Sequence, residues 1–201
     1  MVKWAITSLL MAFFINSALA QSQKTEKQIV LGSSSALSGP AGKLGTRLNV
    51  GAELYFNHIN ANGGVSEHSI KLLKLDDEYE PTKALRNTYQ LLTHKEVFAF
   101  FNFVGTPTSA AVLPEIVRNN MLYITPFTGA QFLREESAKG VINLRASYYE
   151  EAQEQIDYLI NEVGAKRIGL LVQADEFGVS LERGYLKALD KINRKPVVTT
   201  R

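Results

Sequence analysis

From residue 28 onward, short apolar runs alternate with longer segments whose apolar residues recur at helical spacing. That alternation constrains the chain more than any single motif. The runs are Ile29-Val30-Leu31-Gly32, then residues 70–75, 97–104, 121–125, 141–144, 168–172 and 196–200. Each is the length of a strand buried on both faces. The first intervening segment places Leu44, Leu48, Ala52, Tyr55 and Ile59 on one helical face and ends at Asn60-Ala61-Asn62-Gly63-Gly64. The second opens at Pro81, a favoured first-turn residue, and carries Ala84, Leu85, Leu91 and Leu92 inward. A third runs from Ala110 through Val117, with Pro114 expected to kink it. Two more span roughly residues 150–163 and 181–192. Strand and helix in alternation predict an α/β fold: a parallel sheet with crossover helices on both faces.

In such sheets a ligand sits outside the carboxyl ends of the strands. Those ends are predicted as loops at Ser33–Ser38, Asp76–Glu80, Gly105–Ser109, Pro126–Gly129 and Gln173–Gly178. The third is the most suggestive. Gly105-Thr106-Pro107-Thr108-Ser109 places hydroxyls between the apolar run Val97–Val104 and a helix. A helix N-terminus presents N–H groups without intrahelical partners, which attract anions. The turn is therefore expected to grip the carboxylate of a small amphipathic ligand such as an amino acid. Thr106 and Thr108 as plain helix N-caps is the competing reading. Phe127, just past the next strand end, is placed to cover a ligand's side chain.

Other chemistries lose their support. The Gly39-Pro40-Ala41-Gly42-Lys43-Leu44 stretch lacks the first glycine and the hydroxyl of a phosphate loop, since Leu37 and Leu44 stand there. No Gly-x-Gly-x-x-Gly follows a strand and no Gly-x-Ser-x-Gly elbow exists. His58, His68 and His94 share no metal-ligand spacing, so no metal and no cofactor is expected. The acidic run Asp76-Asp77-Glu78 with Glu80 is read as a solvated loop favouring the next helix N-terminus, ahead of a cation site. Phe98, Phe100, Phe101 and Phe103 are read as core.

The first residues have another purpose. Lys3 precedes an apolar stretch too short to span a bilayer, and Ala18-Leu19-Ala20 is a small-residue cleavage pattern. Residues 1–20 are therefore read as a secretory signal peptide, followed by a polar leader at 21–27. No cysteine follows Ala20, which argues against a lipid-anchored form. The formal charge is +2, and it falls to +1 when the signal takes Lys3 away. With no basic tract, nucleic acid is a poor partner. Cysteine is absent, so stability must come from an apolar core, which the 45% hydrophobic content allows.

Five stretches carry a resemblance: Ala36-Leu37-Ser38-Gly39-Pro40, Ile59-Asn60-Ala61-Asn62-Gly63-Gly64-Val65, Leu75-Asp76-Asp77 before Pro81, Ile124-Thr125-Pro126, and Asp175-Glu176-Phe177-Gly178. In order and spacing they resemble the branched-chain amino-acid-binding proteins of ABC importers, the type I periplasmic binding proteins. The resemblance implies two α/β lobes that close on a ligand, with residues 28–145 forming the first lobe and 146–201 beginning the second. It implies a periplasmic protein that is no enzyme and whose partner is a membrane permease; ligand-sensing modules of the same fold are the alternative. Thr106 matches the position whose hydroxyl holds the ligand's α-carboxylate, with Val104 and Gly105 beside it. The second contact falls on Phe127, Thr128 and Gly129. The family hydroxyl there usually sits at the position of Gly129, so Thr128 would have to replace it. Leu44 matches a position often aromatic, and Phe177 an aromatic turned toward the ligand from the second lobe. Family members run to about twice this length, so the second lobe is read as incomplete and the 201-residue chain is expected to bind weakly or not at all. In a full-length version, Thr106→Val is expected to cost affinity with little effect on folding.

Overall fold

The computed structural model describes residues 27–201; the signal peptide read at 1–20, and nearly all of the leader, lie outside the described residues. Among the described residues, seven strands and five α-helices follow one another. They are β1 (Gln28–Ser35), α1 (Gly42–Ala61), β2 (Ser69–Asp76), α2 (Pro81–Thr93), β3 (Val97–Phe101), α3 (Thr106–Arg118), β4 (Tyr123–Ile124), β5 (Val141–Ile142), α4 (Tyr148–Asn161), β6 (Gly169–Leu171), α5 (Glu176–Asp190) and β7 (Val198–Thr200). A 3-10 turn at Gln131–Arg134 links β4 to β5.

All pairings between these strands are parallel. The first five form one sheet in the order β2-β1-β3-β4-β5, and β6 pairs with β7 in a second, two-stranded sheet. Successive side chains on a strand face opposite ways, and β3 shows where the helices lie. Phe100 packs with Phe103, Ala84, Leu91, Val112 and Ile116, under α2 and α3. Its neighbour Phe101 stacks at 5.3 Å on Phe56 of α1. Helices therefore cover both faces, as the alternation predicts. Ile156 of α4, Leu170 of β6 and Leu189 of α5 build a second, separate core.

Four local expectations are corrected. The β1 strand runs three residues further than predicted, and Ser33, Ser34 and Ser35 are fully buried strand residues. Phe98 is no core residue: Val30 pairs with Val97 and Leu31 with Ala99, so Phe98 is left over at a bulge and is 61% exposed. On α1 the buried residues are Gly42, Gly45 and Asn49, whereas Leu44 and Tyr55 are exposed. A close helix–strand approach needs small residues, and it turns the inward face away from the apolar stripe. The helices α3 and α5 begin earlier than predicted, at Thr106 and Glu176. Pro107 supplies a preset first-turn φ in α3, which continues through Pro114 to Arg118. In α5 the Asp175 carboxylate accepts the Gly178 N–H at 3.0 Å.

The helix α4 carries a capping box that the sequence reading passed over. Ser147 Oγ accepts the Glu150 N–H at 3.1 Å, and Glu150 Oε2 accepts the Ser147 N–H at 2.7 Å. That cap fixes the chain where it leaves the five-stranded sheet.

Candidate functional site

Four of the eight non-glycine residues with positive φ among the described residues lie at the carboxyl ends of strands. Glu78 and Tyr79 follow β2, Asn102 follows β3 and Thr125 follows β4. Backbone held in this sparsely populated region marks a tightly determined loop set. Beside these loops, between the five-stranded sheet and helices α4 and α5, lies a cleft of about 610 Å3.

The acidic loop after β2 anchors one wall. Asp76 and Asp77 are hydrogen-bonded into the protein, whereas Glu78 and Glu80 are exposed. Asp76 accepts the N–H of Leu37 and Glu78 at 2.9 Å each, and the Ser38 hydroxyl at 2.5 Å. Burial alone would push its carboxyl up, but these hydrogen bonds outweigh it and hold the group below the usual carboxylate range. Asp77 is fully buried. It accepts the Ser34 hydroxyl at 2.7 Å and the Tyr79 N–H at 2.9 Å, and burial still pushes its pKa up to about 6. Among the described residues no group of three or more His, Asp or Glu is arranged to hold a metal.

Held by Asp77, Tyr79 lies against the start of α3. A Cβ on Gly105 would come within 2.6 Å of the Tyr79 ring, and Gly105 itself has φ +114°. Glycine is needed there on both counts. Burial, then the Asp175 charge, push the pKa of the Tyr79 phenol well above the usual value.

Thr106 is 1% exposed. Its Oγ1 lies 2.7 Å from Thr128 Oγ1 and 3.2 Å from Tyr148 Oη, and Thr128 Oγ1 is itself 3.2 Å from Tyr148 Oη. The three hydroxyls close a buried triangle that ties α3, the loop after β4 and α4 together. Thr106 is therefore no N-cap: Gly105 takes that position, and it is Thr108 whose hydroxyl donates back to the Val104 carbonyl at 2.6 Å.

Of the eight residues expected in the site, Leu44, Val104, Gly105, Thr106, Phe127 and Phe177 line the cleft. Thr128 and Gly129 do not. Thr128 is fully buried behind Thr106, and Tyr148 occupies the space a side chain at Gly129 would need, 2.5 Å from its Cβ position. The Tyr148 ring thus fills the space beside Gly129, and Thr128 lies behind Thr106. Sequence reasoning missed Tyr79, Arg145, Tyr148, Glu151, Gln155 and Tyr185, which also line the cleft. Only Tyr148 and Glu151 had a readable signal, the Ser147-x-x-Glu150 box that starts their helix.

Arg145 lies between two rings. Its guanidinium carbon is 5.5 Å from the Phe127 ring centroid and 5.3 Å from that of Tyr148. Tyr148 in turn meets Phe177 edge-on at 5.5 Å. Nε of Arg145 donates to Glu151 Oε1 at 3.0 Å, and Nη2 donates to the same oxygen.

The cleft lies at the carboxyl ends of parallel strands, where ligands bind in α/β sheets. A family model described as periplasmic binding protein matches residues 28–201. The chain belongs to the periplasmic binding protein family. An amino acid binding protein of Pseudomonas aeruginosa is 24% identical over 94% of this chain and 50% of its own length. The Leu/Ile/Val-binding protein of Escherichia coli K12 is 25% identical over 92% of this chain and 48% of its own. A crystal structure of a possible leucine/isoleucine/valine-binding protein from Rhodopirellula baltica SH 1 superposes with a TM-score of 0.83 at 32% identity, covering 90% of this chain and 50% of that one. The chain thus spans about half the length of the curated relatives it matches. These periplasmic binding protein relatives are named for solute binding, and the family is not one of enzymes.

The hydroxyl triangle revises one expectation. Thr106→Val keeps the side-chain shape but removes a buried hydroxyl with two partners. It is expected to lower folding stability by about 1–2 kcal/mol, read from urea denaturation, where the sequence alone suggested almost no effect. A loss below about 0.3 kcal/mol would show that Thr128 and Tyr148 satisfy each other unaided.

Proposed function

We propose that this chain is part of an extracytoplasmic solute-binding protein that captures a small amphipathic ligand, an amino acid of the branched-chain type, for an ABC importer. Residues 28–145 form one lobe and 146–201 belong to the opposing one. The secretory pattern at 1–20 directs the protein to the periplasm, where the ligand-loaded form meets a membrane permease. The observation that carries this reading is the cleft itself: Val104, Gly105, Thr106 and Phe127 face Phe177 across it, at the carboxyl ends of parallel strands. Its apolar rings suit an aliphatic side chain, and its polar rim suits a charged head group. Family membership supports solute capture, and the names of the relatives support the amino-acid class.

Amide resonances of the 201-residue chain, followed during titration with a panel of L-amino acids, test the proposal. Leucine, isoleucine and valine are expected to give saturable shifts at Thr106, Phe127 and Phe177 at millimolar concentration, and glucose none. No response to any amino acid of the panel, or saturation by glucose alone, would refute the amino-acid reading.

A further inference from the structure

Three hydroxyls meet at the edge of the cleft, with one proton each. Thr106 Oγ1 and Thr128 Oγ1 are 2.7 Å apart, an ordinary O–H···O length, whereas Tyr148 Oη stands 3.2 Å from each of them. One threonine proton fills the short edge. The two long, equal edges fit a single phenol proton shared between the threonine oxygens. One threonine proton is left over.

The surroundings of Thr128 decide which one. Thr128 is fully buried, does not line the cleft, and accepts the Ala130 N–H at 3.2 Å. A hydroxyl oxygen has two lone pairs. With Ala130 on one and the Tyr148 proton on the other, Thr128 has no room for the Thr106 proton, so it donates to Thr106. The proton left over is that of Thr106, which borders the cleft. Among the described residues, Thr106 Oγ1 has no hydrogen-bond partner besides Thr128 and Tyr148.

The phenol is held in place by its backbone. The Tyr148 N–H donates to the Gly129 carbonyl at 2.7 Å, and the Ser147 cap starts the helix at Tyr148. A Cβ at Gly129 would lie 2.5 Å from the Tyr148 ring, so glycine is what admits the ring there.

We infer that Thr128 and Tyr148 are positioning residues for the ligand's carboxylate: both donate into the Thr106 oxygen, which turns the Thr106 proton toward an anion in the cleft. The inference rests on the solute-binding reading above. A hydroxyl whose oxygen accepts hydrogen bonds gives its own proton more strongly. The buried pair therefore aims the Thr106 hydroxyl and strengthens it, without touching the ligand.

The test reads the Thr106 hydroxyl proton of the 201-residue chain by NMR, assigned by its absence in Thr106→Val. L-Leucine and sodium 3-methylbutanoate are titrated in, with 3-methylbutanamide as the same apolar body without the charge. Both carboxylates are expected to move that resonance saturably downfield, and the amide to move it less. Affinities come from the backbone amides of Thr106, Phe127 and Phe177. Tyr148→Phe keeps the ring beside Gly129, and Thr128→Val keeps the side-chain shape. Each is expected to weaken carboxylate binding about threefold to tenfold, the support of one hydrogen bond, and to change amide binding less. Backbone amide dispersion confirms that each variant is folded. A triangle that only braces the fold would lower resistance to urea in both variants and leave carboxylate affinity unchanged, and that result overturns the inference. So does a Thr106 hydroxyl proton that stays in place while the Thr106 amide shifts to saturation, though the solute-binding reading then stands. No saturable response to either carboxylate in the wild-type chain overturns both.

Discussion

Gly45→Ala is expected to destabilise the fold by about 3 kcal/mol or more, the upper end of what overpacking costs. A Cβ at Gly45 would stand 2.0 Å from the Ala36 carbonyl oxygen and 2.8 Å from its carbon. Both are backbone atoms, so no side chain can turn aside. Relief requires α1 to back away from the end of β1. That movement would open the bond from Asn49 Nδ2 to Ser35 Oγ, now 3.0 Å, beneath the wall of the cleft. Gly51 on the same helix is the control, since nothing lies within 4 Å of its Cβ position. Gly51→Ala is expected to stabilise by about 0.5–1 kcal/mol through helix propensity alone. Urea denaturation of the two variants measures both. Equal effects would show that α1 is not held where the structure places it.

The second large effect is a pH dependence centred on Asp77. Its pKa is pushed up to about 6 in the folded state, from 3.8. The native state therefore holds a proton that the unfolded chain releases between about pH 4 and pH 6. Stability contributed by the protonated group is complete below pH 4 and is lost as pH rises through 6, by up to about 3 kcal/mol. Asp76 acts in the other direction and in a lower window. Its depressed pKa contributes stability above pH 4 that is lost in stronger acid. Stability measured from pH 4 to 7 is expected to decline in the wild type, and to lose most of that slope in Asp77→Asn. Asparagine retains one oxygen for the Tyr79 N–H. An unchanged slope in the variant would assign the titration to another group.

Asp77 also shows why parts of the site were hidden. Read locally, Asp76-Asp77-Glu78 is a charged break after a strand, and a charged break is normally wet. What buries Asp77 is Ser34, which is 43 residues away and bonded to it at 2.7 Å, and Asn87, which holds Ser34 from α2 at 3.1 Å. The sequence reading had placed Ser34 in a loop. Once Ser33–Ser35 is strand, its hydroxyls must be satisfied inside the protein: Asp77 accepts from Ser34, Asn49 donates to Ser35, and Ser33 pairs with Ser35. Leu44 lines the cleft where the resemblance placed it, for a reason that only packing shows. Its helical spacing was read correctly, but the sheet is approached by Gly42, Gly45 and Asn49, so Leu44 is left on the cleft side.

The sequence by itself determined the order of strands and helices, the parallel sheet, the family, and the strand ends beside which the cleft lies. Periodicity and turn residues act over a few positions, and a crossover between parallel strands has essentially one hand, so these features survive local reading. Only the tertiary structure decided how the polar groups of the cleft are paired. Thr106 is engaged by Thr128 and Tyr148, respectively 22 and 42 residues further on. Arg145 is held between two rings and bonded to Glu151. Whether a hydroxyl or a guanidinium can bind a ligand depends on the partners that folding brings to it, and that pairing has no local pattern in the chain.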